Sequence, residues 1–141
     1  MLYSTIMTHM SEALAESRFR FKQLREMERS VAWSELKELV EPYYLSAEIG
    51  RNLVIPTETM IRIFFLQHCY MMTPAAIEEA LFQVEELRNF ALIDIGKDLI
   101  PCEESIKSFS SLINKQEDLV VQLSNTINKK QNDSIKLGIF A

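Results

Sequence analysis

The chain has 141 residues and a formal charge of −5, with 15 basic against 20 acidic side chains. It is 48% apolar and 25% charged, the balance of one ordinary globular domain rather than of a disordered chain. Two Cys exclude a disulfide scaffold, and three Gly with four Pro are too few for the many turns of a small β-sandwich. No apolar run is long enough to span a bilayer. These exclusions leave an all-α fold as the expectation.

In chain order, residues 1–10 read as a disordered tail, without a basic start or a small-residue cleavage site. Helix formers dominate from Ser11, a suitable N-cap, to Ser30, with Leu14, Phe21, Leu24 and Met27 as an apolar stripe. A short helix follows from Ser34, again as cap, to Val40, with Leu36, Leu39 and Val40 inward. Trp33 precedes it as a staple to the core, and Pro42 ends it. Pro56 opens a helix to Met72 that is apolar on nearly every side, which predicts a central, buried element.

Thr73-Pro74 is a strong helix start. Ile77, Ala80, Leu81, Val84, Leu87 and Ala91 keep helical spacing after it, and a break near Gln83 splits the stretch in two. Asp94 to Ile100 reads as a loop. Pro101 starts a helix with Ile106, Phe109, Leu112 and Ile113 inward and Lys107, Ser108, Ser111 and Asn114 outward. A last helix runs from Glu117 to Lys130, with Leu119, Val120, Leu123 and Ile127 inward. After Asn132-Asp133 the chain from Ile135 to Ala141 reads as a strand-like stub. The expected fold is five or six helices packed round the Pro56–Met72 helix.

Charge is unevenly spread. Residues 18–29 hold Arg18, Arg20, Lys22, Arg25 and Arg29 against Glu26 and Glu28, a net of +3. Residues 78–104 hold Arg88 and Lys97 against eight carboxylates, a net of −6. The basic stretch suits phosphate and the acidic one does not. Cys69 and Cys102 read as reduced, buried thiols of a cytoplasmic protein. His9, His68 and the two Cys lack zinc-ligand spacing, and adjacent helical residues such as His68 and Cys69 point about 100° apart. Glu78-Glu79 and Glu103-Glu104 suit a solvated face better than an acid–base pair, and there is no glycine-rich phosphate loop. The residues thus predict no active site, no metal and no cofactor. The capped helix at Thr73-Pro74 and the later Lys/Ser/Asn helix face form a loose helix-turn-helix-like pattern, loose because the connection is longer than the usual turn, and small polar side chains on an exposed helix can read base edges in the major groove.

Several blocks in order carry a family resemblance: Trp33-Ser34-Glu35-Leu36, Val40-Glu41-Pro42-Tyr43-Tyr44, Gly50-Arg51, Pro56-Thr57-Glu58-Thr59-Met60-Ile61-Arg62-Ile63, Leu66-Gln67-His68, Ile77 to Phe82 and Leu87 to Ala91. Together they resemble the N-terminal helical region of insertion sequence 5 family transposases, over about residues 18–141. The resemblance implies a helical domain, 11–132, that binds terminal inverted repeats and helps assemble the transposase. It also implies a ribonuclease-H-like catalytic domain with three metal-binding carboxylates, of which 133–141 is the truncated start. Gly138-Ile139-Phe140-Ala141 stands where the family's first catalytic Asp is about to come, so no catalytic residue carries over. The family's basic residues after Arg51 give way to Asn52, its acidic residue after Pro101 to Cys102, and its Arg after Phe109 to Ser110.

Two functions follow as expectations. The first is a non-catalytic, transposase-derived module that binds duplex DNA or regulates transposition, through Arg18, Arg20, Lys22, Arg25, Arg51, Lys107, Ser108 and Ser111. The second is an acidic module that binds full-length transposase or another protein. The Met-rich helix and the apolar terminus suit a homodimer. An enzyme is the least supported class, and no membrane partner is expected.

Overall fold

The computed structural model describes residues 18–47 and 55–136, with side chains described from 24 to 47 and from 55 to 126. Seven helices and no strand lie among the described residues. They are α1 (Arg18–Ser30), α2 (Trp33–Ser46), α3 (Thr57–Tyr70), α4 (Pro74–Gln83), α5 (Glu85–Phe90), α6 (Glu103–Asn114) and α7 (Glu117–Lys136). The expected tail, the Ser11 cap and Arg51 lie outside the described residues.

As its apolar circumference predicts, α3 is the central helix. Met60, Ile61, Ile63, Phe64, Phe65 and Leu66 are all buried. It packs against α2, α4, α6 and α7 and separates two aromatic clusters. On one side the Trp33 ring meets Phe65 at 5.1 Å and Phe90 at 5.7 Å. On the other, Phe109 meets Tyr44 at 5.6 Å and Phe64 at 6.5 Å. Tilted and edge-on rings at such spacings add to the stabilisation that area burial gives. Pro56 stands one residue ahead of α3, as its N-cap.

Three expectations about α2 need correction. The helix begins at Trp33 with Ala32 at the N-cap, so exposed Ser34 caps nothing. Trp33 is itself the first helical residue, and its Nε1 donates to the Glu28 carbonyl at 3.1 Å, which fixes the turn from α1. Pro42 lies inside the helix instead of ending it. An interior Pro costs about 3 kcal/mol through the lost hydrogen bond and the clash with the preceding turn. Here Pro42 sits on the exposed side, and the last turn is anchored beyond it. The Tyr44 hydroxyl, buried, donates to the Ile55 carbonyl at 3.0 Å, and Ser46 Oγ donates to the Pro42 carbonyl at 2.9 Å. Leu39, expected inward, is exposed, because the buried stripe of the helix is Leu36, Val40 and Tyr44, at i, i+4 and i+8, and Leu39 falls beside it.

The break near Gln83 is present, as extended Val84 separates α4 from α5. Arg88 Nη1 bridges it, donating to the Leu81 and Phe82 carbonyls at 3.0 and 2.9 Å, which satisfies acceptors freed at the end of α4. Thr73 caps α4 as its sequence predicts, its Oγ1 accepting from Ala76 N–H at 3.1 Å. Asn132 and Asp133 do not end α7, which runs on through Lys136. Their helix propensities are lower by only fractions of a kcal/mol, and no Gly or Pro interrupts the helix. Ile135 and Lys136 are therefore helical, and the rest of the expected stub lies outside the described residues.

Two helix ends share an uncommon feature. Met71 after α3 and Leu92 after α5 adopt left-handed backbone, with φ of 53° and 63°. Met72 N–H closes the first turn on the Gln67 carbonyl at 3.0 Å, and Ile93 N–H closes the second on the Arg88 carbonyl at 2.9 Å. This hydrogen-bond pattern usually recruits glycine, since a side chain at positive φ costs roughly 1–2 kcal/mol.

Candidate nucleic-acid interface

The face of α6 is as its spacing predicts. Ile106, Phe109 and Ile113 are buried, whereas Lys107, Ser108, Ser111 and Asn114 are exposed. An unencumbered Lys flanked by small hydroxyls offers one phosphate contact and two short donors or acceptors toward base edges. Arg25 is exposed on α1, and the side chains of Arg18, Arg20 and Lys22 lie outside the described ones. The main neighbour of α1 is α5, whereas α6 packs on α2, α3, α4 and α7. The tertiary structure thus holds Arg25 and the α6 face on different parts of the molecule instead of merging them into one basic patch.

The start of α6 is unsuited to phosphate. Its N-cap, Cys102, makes no side-chain capping bond, and Glu78 of α4 supplies the acceptor instead. Glu78 Oε1 takes the Glu103 N–H at 3.0 Å. A carboxylate across the fold therefore occupies part of the positive helix end that an anion would use, and Glu103 and Glu104 add two more negative charges in the first turn. The favourable part of α6 is its middle, from Lys107 onward.

Cys102 differs from the expectation of a buried thiol, and Cys69 meets it in part. Cys102 is exposed, and the Ser105 hydroxyl 3.3 Å away holds its thiol below the ordinary value. Cys69 is partly buried, with Met27 Sδ 3.7 Å from its sulfur, and burial pushes its thiol up to about 12. It is protonated and unreactive near neutrality. His68, next in sequence, turns away from it and packs edge-on against Phe64 at 4.4 Å. Among the described residues no group of three His, Cys, Asp or Glu side chains is placed to hold a metal ion.

The residue that sequence reasoning missed is Arg62. It is 4% exposed, in the middle of the buried face of α3. Its Nε donates to Glu58 Oε2 at 3.0 Å. Its Nη1 donates to Glu28 Oε1 at 3.3 Å and to the Phe90 carbonyl at 2.9 Å. Its guanidinium also lies over the Trp33 ring, 4.4 Å from the centroid, and near the Phe90 ring at 5.3 Å. One planar cation thus joins α1, α2, α3 and the end of α5. The planar fork can hydrogen-bond at its edge and stack on aromatic faces at once, which Lys cannot do. The signal was present: a lone cation amid Met60–Leu66 must be paired if that run is buried, and Glu58 stands four residues before it.

The distinctive Pro56–Ile63 stretch is therefore an architectural motif. Thr57 and Thr59 are buried with Arg62, and Thr57 Oγ1 donates to Glu41 Oε2 at 3.1 Å. No solved structure matches the chain. The model of the family described as Transposase domain (DUF772) matches residues 12–115, a span that takes in α1 through α6, the Arg62 cluster and the exposed α6 face. With most of its length matched, the chain belongs to the transposase domain family.

Proposed function

We propose that the chain is a non-catalytic, transposase-derived module that binds duplex DNA, the terminal inverted repeats of a mobile element, and thereby regulates transposition. The observation that carries this reading is the family match over residues 12–115, which includes the cationic α1 and the Lys107/Ser108/Ser111 face. In this reading Arg18, Arg20, Lys22, Arg25 and Arg51 contact phosphates, as does Lys107, while Ser108 and Ser111 meet base edges from the middle of α6. No cofactor enters the proposal, and cleavage chemistry is left to a catalytic domain.

Duplex DNA anisotropy at about 50 and 200 mM salt tests it. A protein with 6–10 phosphate contacts loses roughly three to five orders of magnitude in affinity over that range. Lys107→Ala is expected to flatten the salt slope by about one contact across all sequences. No binding at low salt overturns the reading. The second reading, a module that binds full-length transposase or another protein, then takes its place. Its support is the carboxylate set of Glu78, Glu103 and Glu104 at the start of α6, which repels a DNA backbone.

A further inference from the structure

Between the ends of α3 and α6 and the middle of α7 lies a cleft of about 730 Å3, within the size range of small-molecule sites. Phe64, Met71 and Met72 line it from α3 and the turn after it, Ser110 and Asn114 from α6, and Ser124 from α7. Its described lining carries no charge near neutral pH. The Cys69 thiol is protonated, and partial desolvation holds the His68 imidazole below its ordinary value and therefore neutral. The lining is nevertheless rich in hydrogen-bonding groups. Gln67 Nε2 is 3.4 Å from the Met72 carbonyl, and the Thr73 hydroxyl caps α4. The Ser110 and Ser124 hydroxyls, the Asn114 carboxamide and the His68 imidazole bond to nothing among the described residues. Met71 lines the same cleft with φ of 53° and 91% of its surface in water. A side chain there adds nothing to the core and costs backbone strain, so its use lies outside folding.

A charged ligand finds no counter-ion in this lining, and an apolar one would strand four polar groups. A neutral planar heterocycle avoids both costs. Its edge suits amide, imidazole and hydroxyl partners, and its faces suit an aromatic ring and the thioethers of Met71 and Met72. Position narrows the class further. Asn114 lines the cleft and also belongs to the exposed face of α6, one turn beyond Ser111 and two beyond Lys107. The cleft therefore opens beside the face proposed to meet DNA. We propose that it is a nucleobase site, filled by an unpaired nucleotide of the DNA lying along α6. The nucleobase site stands on the cleft alone, whereas the strand as its source rests on the DNA reading.

Methyl NMR of the full chain with isotope-labelled methionine tests the site. Adenosine and thymidine should shift the Met71 and Met72 methyl signals saturably at millimolar concentration, the affinity expected of so small a ligand. Ribose should not. No shift with either nucleoside, or an equal shift with ribose, overturns the proposal. Two duplexes test the source, one with an unpaired terminal thymidine and one with an abasic residue in its place. The first is expected to bind about tenfold tighter. Met71→Gly and Asn114→Ala should each bring that ratio toward one. Met71→Gly should do so while the fold gains stability, which a merely structural role would not produce. A ratio of one in the unaltered chain, or a ratio indifferent to both variants, overturns the strand as occupant. If neither duplex binds while the nucleosides still shift Met71, the DNA reading falls and the nucleobase site stands.

Discussion

The surroundings of Arg62 and the loop after α5 are opposites. In the first, a charge lies where apolar atoms are expected, and carboxylates, a carbonyl and two aromatic rings meet it. In the second, Leu92, Ile95 and Leu99 lie where polar atoms are expected, while the carboxylates of Asp94 and Asp98 beside them accept backbone N–H groups of the same loop. The contrast separates two uses of an out-of-place residue. A buried polar group that is fully partnered fixes how elements meet, and its loss is felt as instability. An exposed apolar group on an ordered frame contributes little to its own fold, and its loss should cost little stability.

Arg62 is where the contrast should be largest. Arg62→Ala removes the junction of four helices and leaves a void beside Trp33, and about 3 kcal/mol of unfolding free energy should disappear. Urea denaturation measures it. Arg62→Met, which keeps the stem's packing, should recover part of the loss, because the released Glu28 and Glu58 are partly exposed and can hydrate. Equal losses in both variants would mean that the charge, and not the packing, holds the junction.

Alkaline pH gives the next effect. Burial raises the Cys69 thiol from an ordinary 9.0 to about 12. The folded state thus favours the neutral thiol, a contribution complete below pH 9 and lost as pH rises toward 12. At pH 10 roughly 1 kcal/mol should be gone. Cys69→Ala should remove that part of the alkaline decline, measured as the difference in denaturant midpoint between pH 8 and pH 10. At neutral pH an alkylating reagent should modify Cys102 first and Cys69 only as the chain unfolds.

Met71 separates backbone strain from surface use. It shares the left-handed backbone of Leu92 and is 91% exposed. Met71→Gly should stabilise the fold by about 1 kcal/mol, read as a rise in the urea midpoint. A loss of stability would mean that the Met71 side chain makes a contact that outweighs the strain. The smallest effect belongs to Glu28→Gln. That half-exposed carboxylate should contribute well under 1 kcal/mol, in spite of its 3.3 Å contact with Arg62.

Much of this fold was legible because helical periodicity and punctuation are local. The Ile77–Ala91 spacing, the Thr73-Pro74 start, the break near Gln83 and the two faces of α6 all follow from side chains that a helix brings together. The end of α2 was not legible. Pro42 is a local stop signal, but Tyr44 reaches Ile55 and Phe109, and those contacts lie outside any sequence window. The candidate interface divides in the same way. Exposure of Lys107, Ser108 and Ser111 was readable from spacing. That α1 and α6 occupy different parts of the molecule, and that Glu78 caps the helix carrying them, was not.

By itself, the sequence determined the all-helical fold of the described residues, a buried α3, a cationic first segment and an acidic middle, since all four follow from composition and near-neighbour spacing. Only the tertiary structure decided what Arg62 does and where Leu92 and Leu99 point. A buried charge acquires its role from partners 28 and 34 residues away, and a loop side chain has no periodicity to predict its direction.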